Sequence, residues 1–314
     1  MAIVDVITPV FNTPLHFLMT ALNSLCAQTF SDWEAWIIND ASDESYTVQL
    51  VETLQSYADP RIHYLYTEHK GPAGSRNVGI VKGKAPYVAL LDSDDCWMSH
   101  HLSRQVALLQ TDAEFALVHG HGEVIDAEGR RLYSALPKLE LNGLNPGKFF
   151  VAMLKENFVA ASSVVMRRDV LEKVGGFDAT FPCLVDKELW LRLLNAGAKF
   201  YYDPEVVFQY RVHSQNISKK TDLLLATRRR IISEVEGFMR SNTLFSDIDW
   251  PALRREMVCH MHREAADAYF ARGEYGRSLK HSSLFYSGLS RDSCWLFLRS
   301  LYRFLTNWEN TGKA

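Results

Sequence analysis

Four short β-rich runs, Val4–Val10, Trp33–Ile38, Arg61–Tyr66 and Tyr87–Leu91, recur in the first hundred residues with helical patterns between them. Parallel neighbours in a sheet need a long crossover connection, so this alternation predicts a parallel sheet covered by helices. Leu15, Leu18, Leu22 and Leu25 carry the first helical spacing, and Thr13-Pro14 reads as a cap followed by proline at the first helical position. Each run ends in polar residues at its carboxyl edge, which is where open α/β sheets bind ligands. With 314 residues and 47% hydrophobic composition the chain can bury one large α/β core and still carry a smaller attachment.

Beyond the fourth run, Leu102, Val106 and Leu109 mark a helix, and Phe115–Ile125 alternates as a strand that turns at Asp126–Gly129. Asn142–Gly147 reads as a surface loop, Ser162–Met166 as a strand, Val185–Leu194 as a helix and Val206–Tyr210 as a last strand. These place a first domain at 1–219. From Thr221 the pattern is helical, and Ala265, Ala266, Tyr269, Gly273, Tyr275 and Ser278 trace a small-residue helix hairpin resembling one tetratricopeptide-like unit. Residues 220–314 therefore read as an all-α appendage. Its final stretch, Cys294–Trp308, suits either a helix docked on protein or an interfacial helix on a membrane surface.

The totals narrow the function classes. A formal net charge of -3 gives no general reason to expect nucleic acid or anionic lipid as partner. Five cysteines without a C-x-x-C spacing indicate neither a zinc site nor a disulfide framework, which fits a reducing cytoplasm. No basic segment with a cleavable apolar stretch precedes the first strand, and Arg299 and Arg303 interrupt the most apolar part of the tail. The expectation is a cytoplasmic protein, soluble or peripheral at the inner face of a membrane.

Chemistry concentrates at the strand ends. Leu90-Leu91 runs into Asp92-Ser93-Asp94-Asp95, and three carboxylates so close repel unless a cation neutralises them. A hard divalent cation would bridge them to substrate phosphates, although an acidic turn capping the next helix is the plain alternative. Asp40 ends the second strand and could accept from a base N–H or a ribose hydroxyl, or simply form an Asx turn. Pro9-Val10-Phe11-Asn12 ends the first, where Phe11 offers either a stacking face or a core ring. Gly71–Gly79 is glycine-punctuated and enters a helix, but it matches neither G-x-G-x-x-G nor the P-loop spacing. His119, His121 and Glu123 share one face of a strand, a pattern superficially suited to zinc but read as pocket or core histidines.

The ordered series Ile7-Thr8-Pro9-Val10-Phe11-Asn12, Gln28-Thr29-Phe30, Asn39-Asp40-Ala41-Ser42, Gly74-Ser75-Arg76-Asn77 and Leu91-Asp92-Ser93-Asp94-Asp95 resembles the family 2 glycosyltransferases of the GT-A fold. Gly175-Gly176-Phe177-Asp178, Asp186–Arg192 and Tyr210-Arg211-Val212-His213 continue the similarity through about two-thirds of the chain. The resemblance implies a Rossmann-like, mostly parallel α/β sheet flanked by helices. It implies inverting transfer of a sugar from a nucleotide diphosphate donor, UDP-linked, onto an acceptor hydroxyl, with Mn2+ or Mg2+. Asp92 would face the ribose, Asp94 would hold the metal with His213 near it, Pro9, Phe11 and Asp40 would line the nucleoside pocket with Arg76 near the base or its ribose, and Asn12 and Ser93 would also bind the nucleotide. Asp186 would take the acceptor proton, while also suiting the N-cap of its helix, and Glu188 is a nearby alternative base. The acceptor, a saccharide or lipid-linked saccharide, would meet Asn157, Ser162 and Ser163, with Trp97 and Trp190 as sugar-stacking surfaces, Trp190 reading equally as core.

Three positions depart from the family pattern: Asn39 stands where an acid is frequent, Val185 where a glutamate precedes the base, and Ser99 where a proline often follows the acidic motif. Val185 bears most on acceptor choice. The rivals are a catalytically silent sugar-nucleotide-binding module that recruits a partner through its helical tail, and a sugar nucleotidyltransferase. Joint presence of Asp92, Asp94 and Asp186 disfavours the first, and the lack of a glycine-rich pyrophosphorylase loop disfavours the second.

Overall fold

The computed structural model describes residues 2–134, 144–216 and 220–286. The chain divides into two compact units, Met1–Asn216 and Ile217–Ala314. In the first, β1 (Val4–Val10), α1 (Leu15–Cys26), β2 (Trp33–Asp40), α2 (Glu44–Tyr57), β3 (Ile62–Thr67), α3 (Gly71–Lys82) and β4 (Tyr87–Leu90) alternate as the pattern requires. There follow β5 (Cys96–Trp97), α4 (His101–Thr111), β6 (Phe115–Ile125), β7 (Arg131–Ser134), α5 (Pro146–Lys155), β8 (Val164–Arg167), α6 (Arg168–Lys173), α7 (Val185–Asn195) and β9 (Lys199–Arg211).

The strands form one sheet in the order β3-β2-β1-β4-β8-β6-β9-β5, with β7 beside β6. β3, β2, β1 and β4 are mutually parallel. The second half is mixed: β8 lies antiparallel to both β4 and β6, while β6 and β9 run parallel. Val10 lies beside Asn39 and Asp40 beside Thr67, so the carboxyl ends of β1, β2 and β3 form one edge. The core beneath is aliphatic and aromatic: α1 buries Leu18, Leu22 and Leu25 against Val4, Val6, Trp33 and Ile37 of the strands. A fully buried leucine or isoleucine contributes roughly 1.5–3 kcal/mol of transfer free energy, so this cluster fixes the register of the edge above it.

Two local readings are corrected. Thr13 does not cap α1; the cap position falls on Pro14 without a side-chain hydrogen bond, and the Thr13 hydroxyl pairs with Ser93 Oγ at 2.7 Å instead. The loop read at Asn142–Gly147 gives way to α5 at Pro146, because Asn145 accepts Lys148 N–H as N-cap and proline occupies the first turn. Asn142 and Gly143 lie outside the described residues.

One buried ion pair ties the parallel half together. Asp5, 1% exposed, accepts Trp36 Nε1–H at 3.0 Å, Ala85 N–H at 2.7 Å and Arg168 Nη2–H at 2.6 Å. Arg168 also donates to the carbonyls of Ile80 and Ala85, so β1, β2, the end of α3 and α6 meet at one carboxylate.

The second unit is helical throughout its described part: α8 (Thr221–Ser241), α9 (Trp250–Ala271) and α10 (Tyr275–Tyr286). Leu225, Met261, Ala265 and Tyr269 form its core, Gly273 takes φ +77° in the turn between α9 and α10, and Ser278 Oγ donates to Ala266 O. His262 faces His281, not His260, with Nδ1 atoms 2.8 Å apart, and burial together with the His281 ring pushes His262 down to about 4. Residues 294–308, where an interfacial helix was one expectation, lie outside the described residues. Among the described residues no helix is long and apolar enough to cross a membrane.

Arg168→Ala leaves Asp5 as a buried charge without its counter-ion and is expected to cost about 3–5 kcal/mol in urea unfolding. A cost below about 1 kcal/mol would place this pair with exposed ones of little consequence.

Candidate active site

The edge of the parallel sheet carries the acidic turn that follows β4. Each of its carboxylates is held differently. Asp92 pairs through Oδ1 with Arg76, whose own side chain is 6% exposed. Asp94 Oδ2 faces His213 Nε2 at 2.9 Å and Asn216 Nδ2 at 3.3 Å. Asp95 turns inward: Oδ2 accepts Ser162 Oγ–H at 2.6 Å and Oδ1 accepts Arg211 N–H at 2.9 Å. Ser162 Oγ in turn accepts Asp92 N–H at 3.0 Å, so one hydroxyl from the turn before β8 clamps both ends of the acidic segment. Arg211 adds a bond from Nε to Asp94 O at 2.9 Å.

Electrostatics follow from this crowding. Burial, opposed by Arg76 and reinforced by the charges of Asp94 and Asp186, holds Asp92 above the usual carboxylate range. Burial also drives Asp95 well above it, with Asp94 and Asp92 adding and its bonds to Ser162 and Arg211 opposing. The influence of Asp186 on Asp92 is itself informative, since it brings the start of α7 to the same edge.

Asp186 sits in the first turn of α7 but does not cap it, because the cap position falls on Leu184 in the left-handed region at φ +52°. Its Oδ2 accepts Asn157 Nδ2–H at 3.0 Å. Asn157, expected to meet acceptor, therefore holds the base candidate. Glu188 is committed elsewhere, paired with Arg192, which also donates to the carbonyls of Val174 and Gly176. Val185, at the departure from the family pattern, is buried.

The deciding feature is which oxygens are left over. Asp92, Asp94 and Asp186 each engage one carboxylate oxygen, and the other has no protein partner among the described residues. Asp95 has both engaged. The free oxygens of Asp92 and Asp94 suit a hard cation that keeps several coordination positions for phosphate oxygens, the usual habit of Mg2+, and that of Asp186 is left to take a proton. Among the described residues no three His, Cys, Asp or Glu side chains form a preassembled metal cage. His213 accepts Gln215 N–H at Nδ1, 3.3 Å away, which leaves Nε2 as the donor to Asp94. In this tautomer His213 supports Asp94 from Nε2 and orients its carboxylate.

The nucleoside-side residues are split. Phe11 is 52% exposed at the end of β1 and stands 4.7 Å, centroid to centroid, from the His69 ring. Asn12 takes φ +50°, its N–H donating to Ser42 Oγ and its Oδ1 accepting Asp43 N–H, which locks the ends of β1 and β2 to each other. Pro9 is half-buried in β1. Asp40 is buried and occupied by Lys70 N–H at 2.7 Å, Gly71 N–H at 3.0 Å and His69 Nδ1 at 2.9 Å, so it holds the entry to α3 in place. Arg76, expected beside the base or ribose, is instead buried against Asp92 with its guanidinium 5.5 Å over the Phe177 ring. Asn77 exchanges hydrogen bonds with Phe177 N and O, which docks the Gly175-Gly176-Phe177 turn onto α3.

Several expected acceptor contacts are corrected. Trp190 is fully buried and donates Nε1–H to Val159 O at 3.0 Å; it belongs to the core. Trp97 is 5% exposed, stacked on His101 and bonded to Ser162 O. Ser163 Oγ is used by Ala160 O. Ser162, Asp95 and Arg211 are the structural participants whose duties sequence reasoning missed; Arg211 stood within a quoted motif, but its reach to Asp94 and Asp95 depends on the register of β9 against β5 and β6.

The pattern that defines glycosyl transferase family 2 matches residues 5–175, more than half of the chain. The chain belongs to that family. An uncharacterized glycosyltransferase of Rickettsia conorii is 29% identical over 221 residues, covering 69% of this chain and 35% of the relative. The chain thus spans about a third of the length of this Rickettsia relative. WfaP of Escherichia coli, named as a UDP-Glc:alpha-D-GlcNAc-diphosphoundecaprenol beta-1,3-glucosyltransferase, is 28% identical, with 69% of this chain and 80% of the relative covered. Among solved structures, the mannosyltransferase PcManGT of Pyrobaculum calidifontis, in complex with GDP-Man and Mn2+, has the same fold at TM-score 0.59 and 17% identity, over 99% of this chain and 88% of that one. TarS of S. aureus gives TM-score 0.57 at 16% identity, over 98% of this chain and 54% of that one. The architecture is that of the GT-A glycosyltransferases, a curled α/β sheet flanked by helices, followed here by an all-α region.

The histidines of β6 stand apart from this site. His119 is fully buried among Phe149, Phe158 and Tyr202, His121 Nδ1 lies 3.1 Å from Tyr202 Oη, and Glu123 is paired with Arg131 and Gln209. Neither ring nitrogen of His119 has a hydrogen-bond partner, and burial pushes the ring down to about 3. Between pH 6.5 and about 3 the unfolded chain takes up a proton that the folded chain refuses, so stability falls with acidification by about 1.4 kcal/mol per unit from this residue. His119→Leu is expected to flatten the pH dependence of urea unfolding in that window; an unchanged slope would contradict the assignment.

Proposed function

We propose that the chain transfers a sugar from a nucleotide diphosphate, UDP-linked, to an acceptor hydroxyl with inversion at the anomeric carbon. The observation that carries this reading is the set of leftover oxygens on Asp92, Asp94 and Asp186 at one sheet edge. The names of the relatives point the same way, and WfaP suggests the acceptor class, a lipid-linked saccharide diphosphate. An acceptor of that kind belongs to the building of surface polysaccharide or glycoconjugate and would bring the chain to the inner face of a membrane as a peripheral protein.

In this reading the acceptor oxygen attacks the anomeric carbon as the bond from that carbon to the diphosphate oxygen breaks. Asp186 receives the hydroxyl proton on Oδ1, while Asn157 Nδ2–H holds Oδ2 and fixes the orientation of the carboxylate. Asp92, pinned by Arg76, faces the ribose, and Asp94 with His213 would hold Mn2+ or Mg2+. When bound, that cation supplies charge neutralisation for the departing diphosphate. Phe11, Pro9 and Asn12 border the nucleoside, with Ser93 held by Thr13 beneath it.

The test is nucleotide release from a panel of nucleotide sugars, with lipid-linked GlcNAc diphosphate as acceptor, with and without Mn2+. Turnover is expected only with metal. Asp186→Asn should bind donor with wild-type affinity yet lose about 10²–10⁴-fold in turnover, since only proton removal is taken away. Full turnover by that variant would move the base elsewhere, and metal-independent turnover would remove the role given to Asp94.

A further inference from the structure

Asp40 is the acid that a nucleobase would be expected to meet at the end of β2, yet its side chain is only 4% exposed and already serves three donors. One of those donors is His69, in the loop between β3 and α3. Its Nδ1 lies 2.9 Å from Asp40 Oδ2 and 3.3 Å from the Asp40 carbonyl. A carboxylate and a carbonyl both only accept, so Nδ1 must carry the proton. In the neutral ring the other nitrogen, Nε2, is then an acceptor.

That acceptor is presented outward. The His69 side chain is 59% exposed, and Nε2 has no protein partner among the described residues. Phe11, also exposed, stands beside it with the two rings tilted 41° at 4.7 Å, forming an aromatic face and a hydrogen-bond acceptor side by side above the carboxyl ends of β1 and β2. A planar heterocycle laid on Phe11 would bring its polar edge to His69.

We propose that His69 selects the base: oriented by Asp40, its Nε2 accepts the ring N–H of uracil, thymine or guanine, so that nucleoside diphosphates of these bases bind more tightly than those of cytosine and adenine. Uracil and thymine carry a hydrogen on N3 and guanine carries one on N1. Cytosine N3 and adenine N1 are lone-pair acceptors, which would set two acceptors against each other. Asp40 acts through His69 and is a positioning residue. The proposal rests on the nucleotide-sugar reading above.

Calorimetric titration of the full chain with UDP, CDP, GDP and ADP in the presence of Mn2+ tests it. Wild type is expected to bind UDP at least about tenfold more tightly than CDP, and GDP similarly against ADP, the size of one mismatched hydrogen bond. His69→Phe keeps a ring against Phe11 but removes the acceptor, and should bring UDP to within about threefold of CDP by weakening UDP and relieving CDP of the opposed lone pair. His69→Gln, which can turn its carbonyl to the base, should restore part of the preference and guards against a misfolded phenylalanine variant. Equal UDP and CDP affinity in wild type, or a preference that survives in both variants, overturns the role of His69 while leaving the donor reading intact. Failure of every nucleoside diphosphate to bind would overturn both.

Discussion

The acidic turn after β4 is possible only because cations and donors from distant parts of the chain are brought to it. Three carboxylates within four residues repel one another strongly in a partly buried site, and burial together with that repulsion raises Asp92 and Asp95. Arg76 answers Asp92, Arg211 and Ser162 answer Asp95, and His213 answers Asp94. What remains unanswered is one oxygen on Asp92 and one on Asp94. The structure therefore compensates most of the acidic charge and leaves a remainder that, under the proposed function, a cation with its diphosphate would neutralise.

The elements behind the turn exist to hold it. β4 is central in the sheet, flanked by β1 and β8, and its four residues are all buried. The Asp5–Arg168 pair fixes the opposite end of the same strands, where Gly83 passes so close that an added Cβ would lie 2.3 Å from Asp5 Oδ2. Left-handed backbone at Asn12, Ala41 and Leu184 marks the ends of β1 and β2 and the start of α7. A fourth, Ala58 at φ +48°, ends α2.

Much of this was legible before the fold was known. β1 and β6 match their expected limits because alternating or continuous β-branched runs bounded by polar residues leave little choice of register, and α7 begins where Asp186 signalled a helix start. The ordered motifs identified the family. Less legible were features made only by chain folding. β5 is two residues long and carries no period, and Ser162 meets Asp92 and Asp95 across 70 and 67 positions of chain. Trp190 is the type of residue that serves equally in a sugar site or a core, and only the packing of α7 against the Val159 segment decides for core. Asp40 and Arg76 kept their places at the edge but turned inward, each to a partner that spacing along the chain does not reveal.

If the unanswered oxygens at the β4 turn are shared by a cation and a diphosphate, the two ligands must bind with linkage. Linked titration measures this directly: UDP affinity is determined with and without Mn2+, and Mn2+ affinity with and without UDP. Each ligand is expected to tighten the other by the same factor, at least about tenfold, and the coupling is expected to vanish in Asp94→Asn. UDP binding that is indifferent to Mn2+, or coupling that persists without Asp94, would contradict it.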